Sequence, residues 1–440
     1  MISLHYLQQS NDDIKSRSQN STRNFGVIVQ VNRFRKLNPI SRALGIALFL
    51  VSINARAQNL VPAKAEGALR LATYNASLNR STAGKLTADL KSNDAQIQAI
   101  ATVVRAVQPD ILLINEIDYS TESDNAALLE QDYFSKSSPD LLGRAAWPLK
   151  FHYSAASNTG TPSGMDLDNN GRDSDPNDAF RFGRFPGQYG MAVFSRFEIS
   201  TGDVVTLKDF LWSKLPDALR PIDPKTGKSF YSDATWKKLR LSSKSFWDVP
   251  IQTPSGLLHV LASHPTPPAF DGPEDRNGRR NHDEIKLIER YIESSSILTD
   301  DRGNKVNFSK DAPFVVLGDL NCDPKDGDSK NSAINGLLNH PQMAKSSAPR
   351  SAGGKQANER QGEANARHKS DPAEDTADFN DSSVGNLRVD YALPSKHFKV
   401  ISSGIFWPLH EDVSADKLEV VKKLLDASDH HLVWVDVQIE

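Results

Sequence analysis

The sequence predicts a mixed α/β fold, and three observations carry that prediction. Apolar runs of strand length recur along the chain, among them Leu69–Asn75, Leu257–Ser263 and Phe314–Leu317. Between them lie segments with apolar residues at helical spacing, Asp94–Val107 and Asp283–Ser294. Several strand-like runs also follow one another directly, which a strictly alternating βαβ chain would not show.

In chain order, Leu69–Asn75 reads as a first strand. Asp94–Val107 reads as a helix that stops before Pro109. Ile111–Ile114 is a buried strand. Phe151–Ser154 and Gln188–Ser195 are strands, and the second leads into a strand-like Phe197–Leu207. Leu257–Ser263 follows, then a helix over Asp283–Ser294 with Ile285, Ile288 and Ile292 on one face. Phe314–Leu317, Asn386–Leu393, Val400–Trp407 and His431–Gln438 complete the strands. The connections 158–186, 211–247 and 325–383 are long and rich in Gly, Pro, Ser, Asp and Asn, so they are expected to be functional or partly disordered. Ser346–Arg367, biased toward Ser, Ala, Gly, Gln and Glu, is the segment expected to be disordered. No internal repeat and no second domain is visible, so one domain is expected over 68–440.

Composition sets the outer limits. The chain has 440 residues, 38% hydrophobic and 24% charged, enough for a large core. A net charge of −3 gives no global attraction to nucleic acid or anionic membranes. Residues 1–57 read as an N-terminal extension and signal peptide. Arg33, Arg35, Lys36 and Arg42 form a basic region, Ala43–Ile53 is apolar, and Ala55-Arg56-Ala57 is a small-x-small cleavage site before Gln58. The apolar stretch is shorter than the ~20 helical residues that span a bilayer. No Met falls between Met1 and Met165, so a start codon at Val29 or Val31 would give a leader of ordinary length. Cys322 is the only cysteine, which excludes an intramolecular disulfide. Export without disulfides points to a bacterial periplasmic or extracellular protein.

The strand ends carry the chemistry. Val315–Leu317 runs through Gly318 into Asp319 and Asn321, whose i, i+2 spacing would put a carboxylate and an amide on one face if the strand continued. Thr73-Tyr74-Asn75 ends the first strand, Asn115-Glu116 the second, and Ser263-His264 another. Arg388-Val389-Asp390-Tyr391 and Ser428-Asp429-His430 stand at the starts of two more.

Together with Gly190-Met191-Ala192-Val193-Phe194-Ser195-Arg196, these motifs resemble, in content and in order, the endonuclease/exonuclease/phosphatase superfamily of metal-dependent phosphoesterases. The resemblance spans roughly residues 68 to 440. It implies a four-layer sandwich, two packed mixed β-sheets with helices outside, and a site at one edge. It also implies roles. Asn75, Glu116 and Asp429 would hold a hard divalent cation, Mg²⁺ or Mn²⁺. Asp319 would orient or deprotonate the attacking water, and Asn321 would fix it. His430 would contact the scissile phosphate while Asp390 holds its tautomer. His431 is the competing imidazole. His264 would be a second imidazole at the phosphate.

Three further features stand outside those motifs. Arg276, Arg279, Arg280 and Asn281 precede the predicted helix and would suit a second phosphate of the substrate. Asp166, Asp168 and Asn170 open a D-x-D-x-N-G loop like the first half of a calcium-binding EF-hand, without the expected Glu at position 177, which is Asn. Cys322 is expected to be a buried passenger.

The function these features imply is a secreted metal-dependent phosphoesterase acting on a small phosphorylated molecule such as an inositol phosphate. A nuclease cleaving nucleic-acid phosphodiesters is the alternative. A non-catalytic binding module on this fold is a second. A sphingomyelinase would need an exposed apolar hairpin, and Phe210-Leu211-Trp212 and Phe246-Trp247 read instead as core. The mature chain is expected to be a monomer without stable membrane insertion.

Overall fold

A computed structural model describes residues 60–439. The expected signal peptide and cleavage site over residues 1–57 lie outside them. Among the described residues eleven strands form two sheets. In chain order they are β1 (Leu69–Asn75), β2 (Ile111–Ile117), β3 (Phe151–Ser154), β4 (Gly190–Ser195), β5 (Val205–Thr206), β6 (Phe246–Thr253), β7 (Gly256–Ser263), β8 (Phe314–Asp319), β9 (Asp390–Pro394), β10 (Phe398–Ile405) and β11 (Val433–Ile439). The six-stranded sheet has the order β10-β11-β1-β2-β4-β3, and the five-stranded sheet β5-β6-β7-β8-β9.

Alternation along each strand separates the layers. Leu69 and Leu71 of β1 join Val315 and Leu317 of β8 in the core between the sheets. Ala72 and Tyr74 point the other way, against Leu86 and Leu90 of the helix Lys85–Lys91 and Ile97, Ile100 and Val104 of the helix Ala95–Val107. On the far side Phe314 and Val316 pack against Ile285, Ile288 and Ile292 of the helix Arg276–Ile292 and Ile334 and Leu337 of Ser332–Leu338. The result is helices, sheet, sheet, helices. The helix Ala95–Val107 begins where Asp94 accepts the amides of Gln96 and Ile97, and it ends at a left-handed Gln108 before Pro109.

Four expectations change. Of Phe197–Leu207 only Val205–Thr206 is strand. β6 falls partly inside a segment read as loop. Its Pro250 has no amide to donate, which argues against an interior strand. Beside Pro250 that side of β6 is covered by Glu198–Ser200, where the Ser200 amide donates to the Pro250 carbonyl and the Gln252 amide to the Glu198 carbonyl, a short pairing that asks no bond of the Pro250 nitrogen. Ser346–Arg367 contains the helix Ala352–Gln361, capped by Ser351 and seated through Gly353 on Trp407. The helix predicted to start at Asp283 starts at Arg276, so the arginines lie within it. Phe210, Trp212, Phe246 and Trp247 are buried, as core residues should be. Among the described residues no helix is long and apolar enough to cross a membrane.

Candidate active site

Strand direction gathers the polar strand ends at one edge. β1 runs parallel to β2, and β7 parallel to β8, so Asn75, Glu116, His264 and Asp319 all stand at or just past carboxyl ends. β9 and β11 are antiparallel to β8 and β1, so their amino ends, with Asp390 and His430, arrive at the same edge. Asp319 lies directly opposite Asp390 in the register. Gly318 permits the approach of the His264 loop, since a Cβ there would meet the Ser263 carbonyl oxygen at 2.1 Å.

Asp319 is the hub. Its Oδ2 accepts from Asn75 Nδ2 at 3.0 Å and Asn321 Nδ2 at 3.3 Å, and lies 3.4 Å from His264 Nε2. Asn321 is not on the strand. It follows the strand in a left-handed turn, φ 50°, so the turn rather than the pleat brings it to Asp319. His430 Nδ1 donates to Asp390 Oδ2 at 2.9 Å, and its Nε2 stands 3.8 Å from Asp319 Oδ2. Thr376 Oγ1 donates to the same Asp390 oxygen at 2.8 Å. His431 turns away and packs on Trp407 with ring centroids 3.8 Å apart.

The charges follow from these contacts. Burial alone would raise Asp319, but the His430 cation and the hydrogen bond from His264 hold it well below the usual carboxylate range. Burial alone would lower His430, and the Asp390 and Asp319 carboxylates outweigh it and keep the ring protonated. Burial and the nearby Lys244 push His264 down to about 4, so it is neutral at pH 7. Burial pushes His431 down to about 3.

The donor set fits a hard divalent cation. Glu116 occupies a β-bulge with φ 62°, a conformation that re-aims its side chain out of the sheet. One of its oxygens takes Asn79 Nδ2 at 2.9 Å, and among the described residues no cationic side chain pairs with it. Burial raises its affinity for a proton, and the nearby Lys244 and His430 charges offset that only in part. Asp429 is close enough to raise it further. Asp429 is exposed beside His430, and Asn75 adds an amide oxygen. Carboxylate and amide oxygens suit magnesium or manganese.

Other expected site residues are placed differently. Arg280 is 3% exposed, bonded to the Phe180 carbonyl and stacked on Trp212. Asn281 is wholly buried and donates to the carbonyls of Thr266, Leu320 and Asn321. Both are committed to the protein, so Asn281 ties the His264 loop to the Asp319 loop rather than offering itself to substrate. Arg276 pairs with Glu274, and Arg279 lies 3.9 Å from Asp275. Asp166 and Asp168 group with Asp178, with ligand oxygens within 4.8 Å of one another. Asn170 donates its backbone amide to Asp166 and Asp168. It closes the loop on itself through Asp175 and the Arg172 amide. Cys322 is buried, and burial pushes its thiol up to about 12.

Three residues were missed. Asn115 Oδ1 accepts the Asp319 amide at 3.2 Å, and Thr376 positions Asp390. Lys244, 5% exposed, lies within electrostatic reach of Glu116, Glu284, Arg181 and Asp319. Its only sequence signal is a charge inside the small polar run Ser242-Ser243-Lys244-Ser245 ahead of an apolar strand.

The model of the Endonuclease/Exonuclease/phosphatase family matches residues 72–430. No curated protein matches the chain. Among solved structures, an endonuclease/exonuclease/phosphatase from Beutenbergia cavernae is 17% identical, with 85% of this chain and 72% of that one covered and a TM-score of 0.46. Sphingomyelinase C from Streptomyces griseocarneus is 13% identical, with coverage of 84% and 99% and a TM-score of 0.41. A beta toxin from Staphylococcus aureus, solved with bound magnesium ions, is 12% identical, with coverage of 84% and 99% and a TM-score of 0.40. The chain belongs to the endonuclease/exonuclease/phosphatase family and is a metal-dependent phosphoric ester hydrolase.

Proposed function

We propose that the chain is an exported bacterial phosphomonoesterase that acts on small phosphorylated molecules with Mg²⁺ or Mn²⁺. The observation that carries this reading is the convergence on one buried carboxylate. Asp319 is held by Asn75, Asn321 and His264, and a protonated His430, locked by Asp390, stands beside it.

Each residue then has a role. Glu116, Asn75 and Asp429 hold the metal, which supplies Lewis-acid stabilisation of charge on the phosphoryl group. Asp319 is held too acidic to be a strong base, so it orients the attacking water through hydrogen bonding. Asn321 fixes the turn that carries it. The neutral His264 donates a hydrogen bond to Asp319. The cationic His430 faces the phosphate oxygens and stabilises the charge that builds there, with Asp390 fixing the ring. Water attacks phosphorus, the ester P–O bond breaks, and the alcohol leaves with a proton.

One observation favours a second reading. Phe270, on the loop that follows His264, is 90% exposed and holds a left-handed backbone, φ 64°. An exposed aromatic ring on a loop that leaves the site suits stacking on a nucleobase, as a nuclease would use it. One panel separates the two: a chromogenic phosphomonoester, a phosphodiester, phytate and plasmid DNA, each with Mg²⁺. Turnover of monoesters with DNA left intact supports the first reading, and nicking of DNA without monoester turnover replaces it with the second.

A further inference from the structure

We propose that the Lys244 ammonium binds a non-bridging oxygen of the scissile phosphate, which makes Lys244 a catalytic residue outside the strand-end motifs. This rests on the phosphoesterase reading of the site.

The backbone beside Lys244 is pinned against the His264 loop. The Ser243 amide donates to one Glu284 oxygen, and the Thr266 amide donates to the other at 2.7 Å. Glu284 therefore clips the two segments together. Ser243 Oγ donates to the His264 carbonyl at 2.7 Å. On the other side the Asn158 amide donates to the Lys244 carbonyl at 2.9 Å, and Asn158 Nδ2 to the Ser242 carbonyl at 2.9 Å. β6 begins two residues later, with Phe246 opposite Ser263. Lys244 thus sits at the edge where the catalytic strand ends meet, and its position is set from both flanks.

What the ammonium lacks is a partner. Among the described residues it makes no side-chain hydrogen bond and no ion pair within 4.0 Å. The carboxylates whose charges reach it take their hydrogen bonds from other groups. Both Glu284 oxygens take backbone amides. Asp319 takes Asn75, Asn321 and His264. Glu116 takes Asn79. A side chain 5% exposed that keeps a charge without a direct counter-ion bears a desolvation cost. An anion bound between Lys244 and His430 removes that cost, and the substrate phosphate is the anion this site is built around. A flexible stem with a compact charge suits one oxygen of a phosphoryl group.

The test uses Lys244→Met and Lys244→Gln, which remove the charge, and Lys244→Arg, which keeps it. Calorimetry measures Mn²⁺ binding to each protein and inorganic phosphate binding to each Mg²⁺-loaded protein. Steady-state kinetics use a chromogenic phosphomonoester. The expected result is Mn²⁺ affinity no weaker than in the wild type and phosphate affinity lowered about 10- to 100-fold in the neutral variants. kcat/KM should fall in parallel, with partial recovery in Lys244→Arg. Phosphate affinity within about twofold of wild type in a folded neutral variant would overturn the proposal. So would loss of Mn²⁺ binding, which would mean that Lys244 acts through Glu116. Failure of both neutral variants to fold, with Lys244→Arg folded, would assign the charge to the fold instead. A wild type that hydrolyses no phosphate ester but binds phosphate through Lys244 would refute the phosphoesterase reading alone.

Discussion

Asp390→Asn is the most informative single perturbation of the proposed dyad. Asp390 is 2% exposed, and its Oδ2 accepts both His430 Nδ1 and Thr376 Oγ1. Its Oδ1 has no hydrogen-bond partner. Asparagine can therefore present its single oxygen to His430 and Thr376, with its amide nitrogen where the unpartnered oxygen was, so the packing survives. What disappears is the negative charge. A charge-assisted bond of this kind contributes about 1.5–3 kcal/mol. At about 1.4 kcal/mol per tenfold, kcat should fall about 10- to 150-fold. His430 also loses the foremost of the three carboxylates that keep it protonated, which acts in the same direction. KM and Mn²⁺ affinity should change little, because Asp390 touches neither substrate nor the proposed metal ligands. The assay is steady-state turnover of a chromogenic phosphomonoester at saturating Mg²⁺, with a thermal melt as the folding control. A folded Asp390→Asn enzyme with kcat within about threefold of wild type would refute the dyad.

The remaining predictions concern stability and reactivity. Arg70 and Asp436 form a bidentate pair with side chains 3% and 0% exposed, and Asp436→Ala should cost about 3–5 kcal/mol in urea unfolding, since it strands the Arg70 charge. Asp375 is 1% exposed with neither oxygen hydrogen-bonded, and burial, reinforced by Asp323 and Asp326, pushes it up to about 9. The folded state then keeps a proton that the unfolded chain loses above about pH 4, so this residue makes stability fall as pH rises from about 4 to 9. The stability of Asp375→Asn relative to wild type, measured by urea unfolding at pH 5 and pH 8, should be higher at pH 8. Cys322 should resist iodoacetamide in the folded protein and react only after denaturation, as intact mass will record.

The strand ends were legible because each joins an apolar run to a polar residue, and topology alone then decides where those ends meet. Asn75, Glu116, His264, Asp319, Asp390 and His430 share one edge because parallel and antiparallel strands alternate in the needed sense. The roles within that edge were less legible. The i, i+2 spacing of Asp319 and Asn321 suggested a pleat, and the chain turns instead. The Arg276–Asn281 cluster looked free for substrate because sequence does not reveal which face of a helix is buried at its first turns. In fact Arg280 and Asn281 point inward. The low-propensity segment around Gly353 folds into a helix because only glycine fits there, a Cβ at 353 meeting the Trp407 carbonyl oxygen at 2.3 Å. Lys244 and Thr376 come from connections with no periodicity, so Thr376 had no local mark and Lys244 only its charge within a small polar run.

Metal dependence tests the central claim most directly. The purified protein, freed of metal with EDTA and assayed on a chromogenic phosphomonoester, should be inactive. Mg²⁺ or Mn²⁺ should restore turnover in the wild type and fail to restore it in Glu116→Gln, whose loss of the carboxylate removes the principal proposed ligand. Full activity after exhaustive chelation, or full restoration in Glu116→Gln, would contradict the account.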